Sequence, residues 1–354
     1  MLGADQAVVL LQHGGLDSLT GKTGLAMLRH RQGPIVAVID PHHAGASLET
    51  VTGIRRAVPV VADLQEALAF GPEVAVVGLA PSGGRLPQPV RADALAALRA
   101  GLCLASGLHT RLGDDKELKA ACQPGRWIWD LRREPEGLQV AQARAAALPQ
   151  RRVLALGTDM AVGKMSACLA LQAAAEARGL PSGFVGTGQA GILISGSGVA
   201  LDAVRVDYAA GAVEAAVLRA ADRLPSDGVV LVEGQGSLCH PGSSASLPLL
   251  RGSQPTGLLL VHRAGQRTIE RLPRVPLPPL PALVQLSEAL AAIGRPVDAG
   301  PSPRVRALAL NTARLEAAAA QRAIAEAQEE LQLICADPLR GGAQILLEAL
   351  VEEG

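Results

Sequence analysis

The sequence predicts an α/β protein of two domains, each a parallel sheet covered by helices, with a phosphate-binding loop in the second. Three observations carry that prediction. Short runs rich in Val, Ile and Leu alternate with helical patterns along almost the whole chain, the order expected of parallel strands joined by crossover helices. A glycine-bearing turn at residues 157–166 lies between one such run and a helical stretch. Around residues 132–150 charged residues, prolines and an alanine-rich stretch interrupt the pattern, which sets a boundary between domains of residues 1–145 and 146–354.

In the first domain, strands are expected over residues 7–11, 35–40, 58–61, 74–78, 102–105 and 126–131, each a short apolar run. Helices over residues 22–31, 64–70, 92–100 and 114–121 separate several of them. Gly33 and Gly101 supply stop signals, and Asp63 is a candidate N-cap. The second domain restarts with a strand at 153–156 and a helix at 164–178, stopped at Gly179. Strands follow at 183–186, 229–233, 257–262, 305–310 and 331–336, with helices at 209–222, 283–293 and 313–330. Residues 273–281 are dense in proline and read as a surface loop, because proline removes the amide that a ladder needs.

Bulk properties exclude several function classes. The 354 residues carry 33 basic and 33 acidic side chains, so a basic face for nucleic acid or an anionic membrane is not expected. With aromatics at 1% of residues, the interior is built from Ala, Val, Leu and Ile. The five cysteines show no CxxC spacing and their number is odd, which points to neither a disulfide framework nor a zinc site. The start lacks the basic stretch of a signal peptide, and no apolar run approaches the roughly 20 residues of a membrane helix. A cytoplasmic protein is expected, acting on a small molecule without nucleic acid or membrane; a homo-oligomer is compatible with it.

The chemistry concentrates in Gly157-Thr158-Asp159-Met160-Ala161-Val162-Gly163-Lys164-Met165-Ser166. Such a turn points backbone N–H groups inward and makes an anion site at a helix N-terminus. Glycine serves where φ is positive or the phosphate comes close, and Lys164 adds a point charge. Five residues separate Gly157 from Gly163, where the usual phosphate loop has four. The expected cofactor contacts are therefore Gly157, Thr158, Asp159, Val162, Gly163, Lys164, Met165 and Ser166. One of these departs from the pattern of Mg·nucleotide enzymes. Met165 stands where a Ser or Thr hydroxyl ligates Mg²⁺, and a thioether is a poor partner for that cation.

In the first domain, Asp40 occupies a place like the acidic ribose-binding position of dinucleotide folds. The preceding turn, Gly14 to Thr23, lacks G-x-G-x-x-G and has Leu16 where four-residue spacing needs glycine, so a nicotinamide site is weakly supported. His42 and His43 read as an exposed loop, as does His109 near Asp114 and Asp115.

The loop's Gly-Thr-Asp-x-x-Val-Gly-Lys resembles that of dethiobiotin synthetase and its P-loop relatives. Val229-Val-Leu-Val-Glu233-Gly-Gln-Gly236 resembles the Glu-Gly-x-Gly element of the same enzymes. Further phrases point to one family: the stretches at 184–192, 194–204 and 207–214, Glu233-Gly-Gln-Gly-Ser-Leu-Cys-His240-Pro, Gly21-Lys-Thr23, Val38-Ile-Asp40, Ser106-Gly-Leu-His109 and Asp130-Leu-Arg132. Together these resemble the D-glutamate N-acetyltransferase family, long known only as a domain of unknown function. That resemblance covers most of the chain. It implies a Rossmann-like N-terminal domain followed by a P-loop NTPase-like, doubly wound C-terminal domain.

It also implies acetyl transfer from acetyl-CoA to the amino group of D-glutamate or a similar D-amino acid. The loop would then grip phosphates of CoA, which has no γ-phosphate to cleave. Glu233 and His240 are the candidate bases, and Gln189 or backbone amides can stabilise an oxyanion. Arg205 or Arg340 can meet substrate carboxylates. The rival enzyme reading is a ligase or kinase using ATP with Mg²⁺ at Asp159 and Glu233. The non-enzyme reading is a regulator that only binds a nucleotide or CoA.

Overall fold

The computed structural model describes residues 2–3, 5–80 and 86–352. Its contacts divide the chain into two compact units, Met1–Glu134 with Gln189–Gly196, and Pro135–Gly188 with Ser197–Gly354.

The first unit holds β1 (Val8–Leu11), α1 (Lys22–His30), β2 (Ile35–Ile39), α2 (Leu48–Thr52), β3 (Val60–Val61), α3 (Leu64–Leu68), β4 (Val74–Val77), α4 (Gln88–Arg99), β5 (Cys103–Ser106), α5 (Lys116–Ala121) and β6 (Ile128–Asp130). Its strands run parallel in the order β3-β2-β1-β4-β5-β6, that of a Rossmann sheet. Alternate residues Val9, Leu11, Ala37, Ile39, Ala75 and Val77 join Val90, Ala94 and Leu98 of α4 in one buried cluster, as the two-residue repeat of a strand requires. Each Val or Leu so buried contributes about 1.5–3 kcal/mol. Asp63 does cap α3, its side chain accepting from the Glu66 amide at 3.0 Å.

The turn after β1 is filled from within. Gln12 is fully buried, donates from Nε2 to the Gly21 carbonyl at 2.9 Å, and packs against Gly24 and Gly78. Asp40 is buried too, and its Oδ1 accepts from the amides of Gly14 (2.8 Å) and His42 (3.2 Å). The carboxylate that resembled a ribose acceptor thus closes a protein turn.

The second unit begins with β7 (Arg151–Gly157), α6 (Lys164–Ala177) and β8 (Ser182–Val185); α7 (Gln189–Ser195) follows in sequence but clusters with the first unit. It continues with α8 (Val206–Ala221), β9 (Val229–Val232), α9 (Ser246–Ser253), β10 (Gly257–Arg263), β11 (Thr268–Ile269), β12 (Leu272–Pro276), α10 (Leu280–Ala292), β13 (Arg304–Asn311), α11 (Ala317–Leu331), β14 (Ile334–Ala336) and α12 (Ala343–Val351). The parallel order is β14-β13-β10-β7-β9-β8, so the strand before the phosphate loop is central. Val153 and Ala155 face a cluster with Ala167, Leu171, Leu346 and Leu347, whereas Leu154 and Leu156 face one with Ala212, Val213 and Leu249. Near-continuous apolar strands are what a sheet covered on both faces demands.

Two features of the structure refine the sequence reading. The sequence placed the boundary within residues 132–150, and the contact units divide inside that segment, at 134/135. Buried Glu214 gathers the intervening residues, accepting from the amides of Gln142 (3.2 Å) and Arg144 (2.7 Å) and from Arg144 Nε (2.8 Å). The proline-dense stretch contributes β12, which pairs only with β11 in an antiparallel ribbon where its prolines cost no sheet amide. Among the described residues no helix is long and apolar enough to cross a membrane.

Candidate functional site

The loop between β7 and α6 is shaped by side chains that hold its carbonyls. The Thr158 carbonyl accepts from Ser237 Oγ (2.9 Å) and the Asp159 carbonyl from Lys164 Nζ (2.9 Å). Those of Ala161 and Val162 accept from Arg263 Nη2 (2.7 Å) and Asn311 Nδ2 (2.8 Å). In a trans peptide the next N–H points opposite to the carbonyl. The amides of Val162 and Gly163 are therefore turned away from Arg263 and Asn311. The first turn of α6 adds amides with no acceptor inside the helix. Positive φ at Ala161 (53°) and Gly163 (115°) gives the alternating backbone of an anion nest. A Cβ at Gly157 would stand 2.6 Å from Lys164 Nζ and 2.9 Å from the Asp159 carbonyl oxygen, which favours glycine there.

Asp159 braces this loop. Its Oδ1 accepts from the Met160 amide (2.7 Å), and its Oδ2 from Gln266 Nε2 (2.6 Å) and the Glu270 amide (2.7 Å). Glu270 is clasped by Arg263 (2.6 Å) and Arg314 (2.8 Å), and those hydrogen bonds hold its carboxyl down at about 2. Thr158 Oγ1 lies 2.9 Å from His262 Nδ1, and burial lowers that imidazole to about 4, so His262 is neutral. The sequence reading found neither Gln266, Glu270, Arg263 nor Asn311, which reach the loop from residues about a hundred or more positions later. Met165 is partly buried and packs against the core, while Val162 is fully buried in it.

Lys164 and Glu233 form the electrostatic centre. Burial lowers the Lys164 ammonium to about 8, against the opposing pull of Glu233 and Asp159. Glu233 follows β9 directly and is 8% exposed. Burial raises its carboxyl to about 7, although the Thr187 and Gly188 amides and Lys164 all favour the ionised form. Both amides bond the same oxygen, Oε2, at 2.9 and 3.3 Å, while Oε1 accepts no hydrogen bond among the described residues. Thr187 Oγ1 also donates to the Glu233 carbonyl at 2.8 Å, fixing the residue at both ends. Gly234 lets this strand end approach β7, since a Cβ there would strike the Ala155 carbonyl.

The other expected residues are distributed differently. His240 is partly exposed, and its Nδ1 accepts from the Gly242 amide at 3.0 Å, which places the ring proton on Nε2. Gln189 opens α7 in the first unit, its side chain against Gly107, with Oε1 buried and unpaired among the described residues. Arg205 stacks on the Tyr208 ring at 4.7 Å, and Arg340 donates to the Leu315 carbonyl at 2.7 Å. Beside Met160 of the loop lies a cavity of about 290 Å³, lined also by Leu201, Asp202, Val204, Gln235 and Ser243. Among the described residues no group of three or more His, Cys, Asp or Glu is placed to hold a metal ion.

Residues 139–347 match the family model described as a domain of unknown function, DUF1611, C-terminal P-loop domain, and residues 41–134 match its N-terminal Rossmann-like domain. A D-glutamate N-acetyltransferase of Tritonibacter scottomollicae is 37% identical over 289 residues, 81% of this chain and 84% of that protein. One from a Pseudoalteromonas species is 32% identical over 287 residues, 80% of this chain and 83% of that protein. The crystal structure of a DUF1611 family protein from Anabaena variabilis superposes with a TM-score of 0.90 at 50% identity, covering 99% of this chain and 100% of that one. The chain belongs to the DUF1611 family and is a relative of these D-glutamate N-acetyltransferases.

Proposed function

We propose that the protein transfers an acetyl group from acetyl-CoA to the amino group of a D-amino acid such as D-glutamate. The observation that carries this reading is Glu233, a buried carboxyl poised at about 7, with one oxygen pinned and the other open, beside a phosphate-binding loop. A base that works near neutral pH should have such a pKa. The names of the two relatives support the reaction class and the acceptor.

The loop residues fit the phosphates of CoA. Their carbonyls are tied outward, their amides are turned inward, and Lys164 supplies charge. Bound acetyl-CoA supplies an acetyl group activated as a thioester. Glu233 receives a proton from the acceptor's ammonium group at Oε1, while the Thr187 and Gly188 amides hold Oε2 still. His240 offers a ring N–H as a donor, and Gln189, in the first unit, stays a candidate for steadying developing negative charge.

ATP hydrolysis is the weaker reading. Both Asp159 oxygens are already occupied by protein donors, and Met165 packs on the core where a metal-ligating hydroxyl is needed. Purified protein incubated with acetyl-CoA and a panel of D- and L-amino acids should release free thiol in an amino-acid-dependent way. Mg²⁺-dependent ATP turnover without such release would overturn the proposal.

A further inference from the structure

Gln235 is a side chain to which no expected role was attached, two residues beyond Glu233 on the same loop. Its Oε1 is buried and has no hydrogen-bond partner among the described residues. A buried acceptor without a donor is uncommon, because the oxygen has given up water for nothing. Glu233 Oε1 is likewise without a donor, since both amide bonds fall on Oε2. Both oxygens lie near Gly188. A Cβ built on Gly188 would lie 3.6 Å from Glu233 Oε1 and 3.9 Å from Gln235 Oε1, so both flank one point.

Gln235 also lines the 290 Å³ cavity beside Met160, whose wall includes Asp202 and, among its described residues, no lysine or arginine. Lys164 faces Glu233 from α6, but neither oxygen has a donor and the cavity wall holds no lysine or arginine among the described residues, which suits a ligand group rich in N–H donors and positive in charge. A primary ammonium, with three N–H donors, has that chemistry; a single amide N–H satisfies only one of the two oxygens.

We propose that Gln235 and Glu233 form the seat of the acceptor's ammonium group, Gln235 orienting it through its side-chain carbonyl and Glu233 taking its proton. This rests on the acetyltransferase reading above and names the group recognised there. In the step, one N–H bond of the ammonium breaks and an O–H bond forms on Glu233 Oε1. The electron pair stays on nitrogen as the attacking lone pair, and the carboxylate becomes a neutral carboxyl. The charged and titratable groups facing Glu233 are Lys164 and Cys168 of α6, with the Thr187 and Gly188 amides on its other oxygen.

The test uses Gln235→Leu and Gln235→Glu in the full chain, with calorimetric binding of D-glutamate and of glutarate, which lacks the amino group. Wild type should prefer D-glutamate, and Q235L should lose roughly ten- to a hundredfold of that preference while its dissociation constant for CoA holds. In Q235E a second carboxylate should move the acid limb of acetyl transfer to higher pH if residue 235 borders Glu233, while the D-glutamate preference in Q235L separates the ammonium seat from a merely structural role. No wild-type preference, an undiminished preference in Q235L, or an unmoved limb in Q235E would overturn the proposal. Thiol release with a preference indifferent to Q235L would sink the ammonium seat and leave acetyl transfer standing. A Gln235-dependent preference without thiol release would do the reverse.

Discussion

If Glu233 is the base, its protonation state sets the rate, and the structure says where. Burial carries the carboxyl from 4.5 to about 7. A base of that pKa is about half ionised at pH 7 and about 3% ionised at pH 5.5, so kcat/KM for the acceptor should fall about sixteenfold between them. An ordinary glutamate is still about 90% ionised at pH 5.5, and its rate would hardly change. Glu233→Gln should lower kcat by about 10²–10⁴-fold and remove the limb. Linkage runs in step. Because the folded pKa is raised, the stability this group contributes is fully present below pH 4.5 and is lost as pH rises through about 7. Thiol release followed in buffers of constant ionic strength is the assay. A profile flat down to pH 5.5, or one that Glu233→Gln leaves in place, would refute the assignment.

Other substitutions probe the loop. Lys164→Ala should raise the dissociation constant for CoA at least about tenfold by calorimetry, because it removes the loop's own cation; an unchanged constant would show that CoA phosphates bind elsewhere. Met165→Thr should cost about 1–2 kcal/mol in a denaturant melt, through lost packing on the core. It should bring no Mg²⁺-dependent ATP turnover, because Asp159 remains engaged by Gln266 and Glu270; gain of turnover would reverse the choice of cofactor. Gly234→Ala presses a methyl group into the Ala155 carbonyl and to 2.9 Å from Lys164 Cδ. A loss of about 2 kcal/mol or more, read as a lower urea midpoint, is expected, and an unchanged midpoint would show that β9 is free to shift.

The residues that the sequence could place by itself are those whose signal is local. Runs such as Val229–Val232 are buried on both faces and read as strands from four or five letters, because apolar side chains on both sides suit a covered sheet. The loop from Gly157 to Lys164 announces itself for the same reason: its positive φ at Gly163 and its charged side chain are written into adjacent positions. Glu233 was legible as a carboxylate at a strand end.

Tertiary structure decided the rest. Asp159, expected among the cofactor contacts and as a metal ligand in the rival reading, is held by Gln266 and Glu270, whose separation along the chain hides the bond. Gln189 clusters with the first unit, because a helix of seven residues takes its place from what it packs against, here α1. The near-neutral carboxyl of Glu233 appears only when the fold removes water from it, and the empty acceptor of Gln235 only when burial makes an absent donor count. Spacing along a chain reports backbone geometry and hydrophobic period; desolvation and long-range hydrogen bonds depend on what surrounds a side chain in space, and that is set by the packed whole.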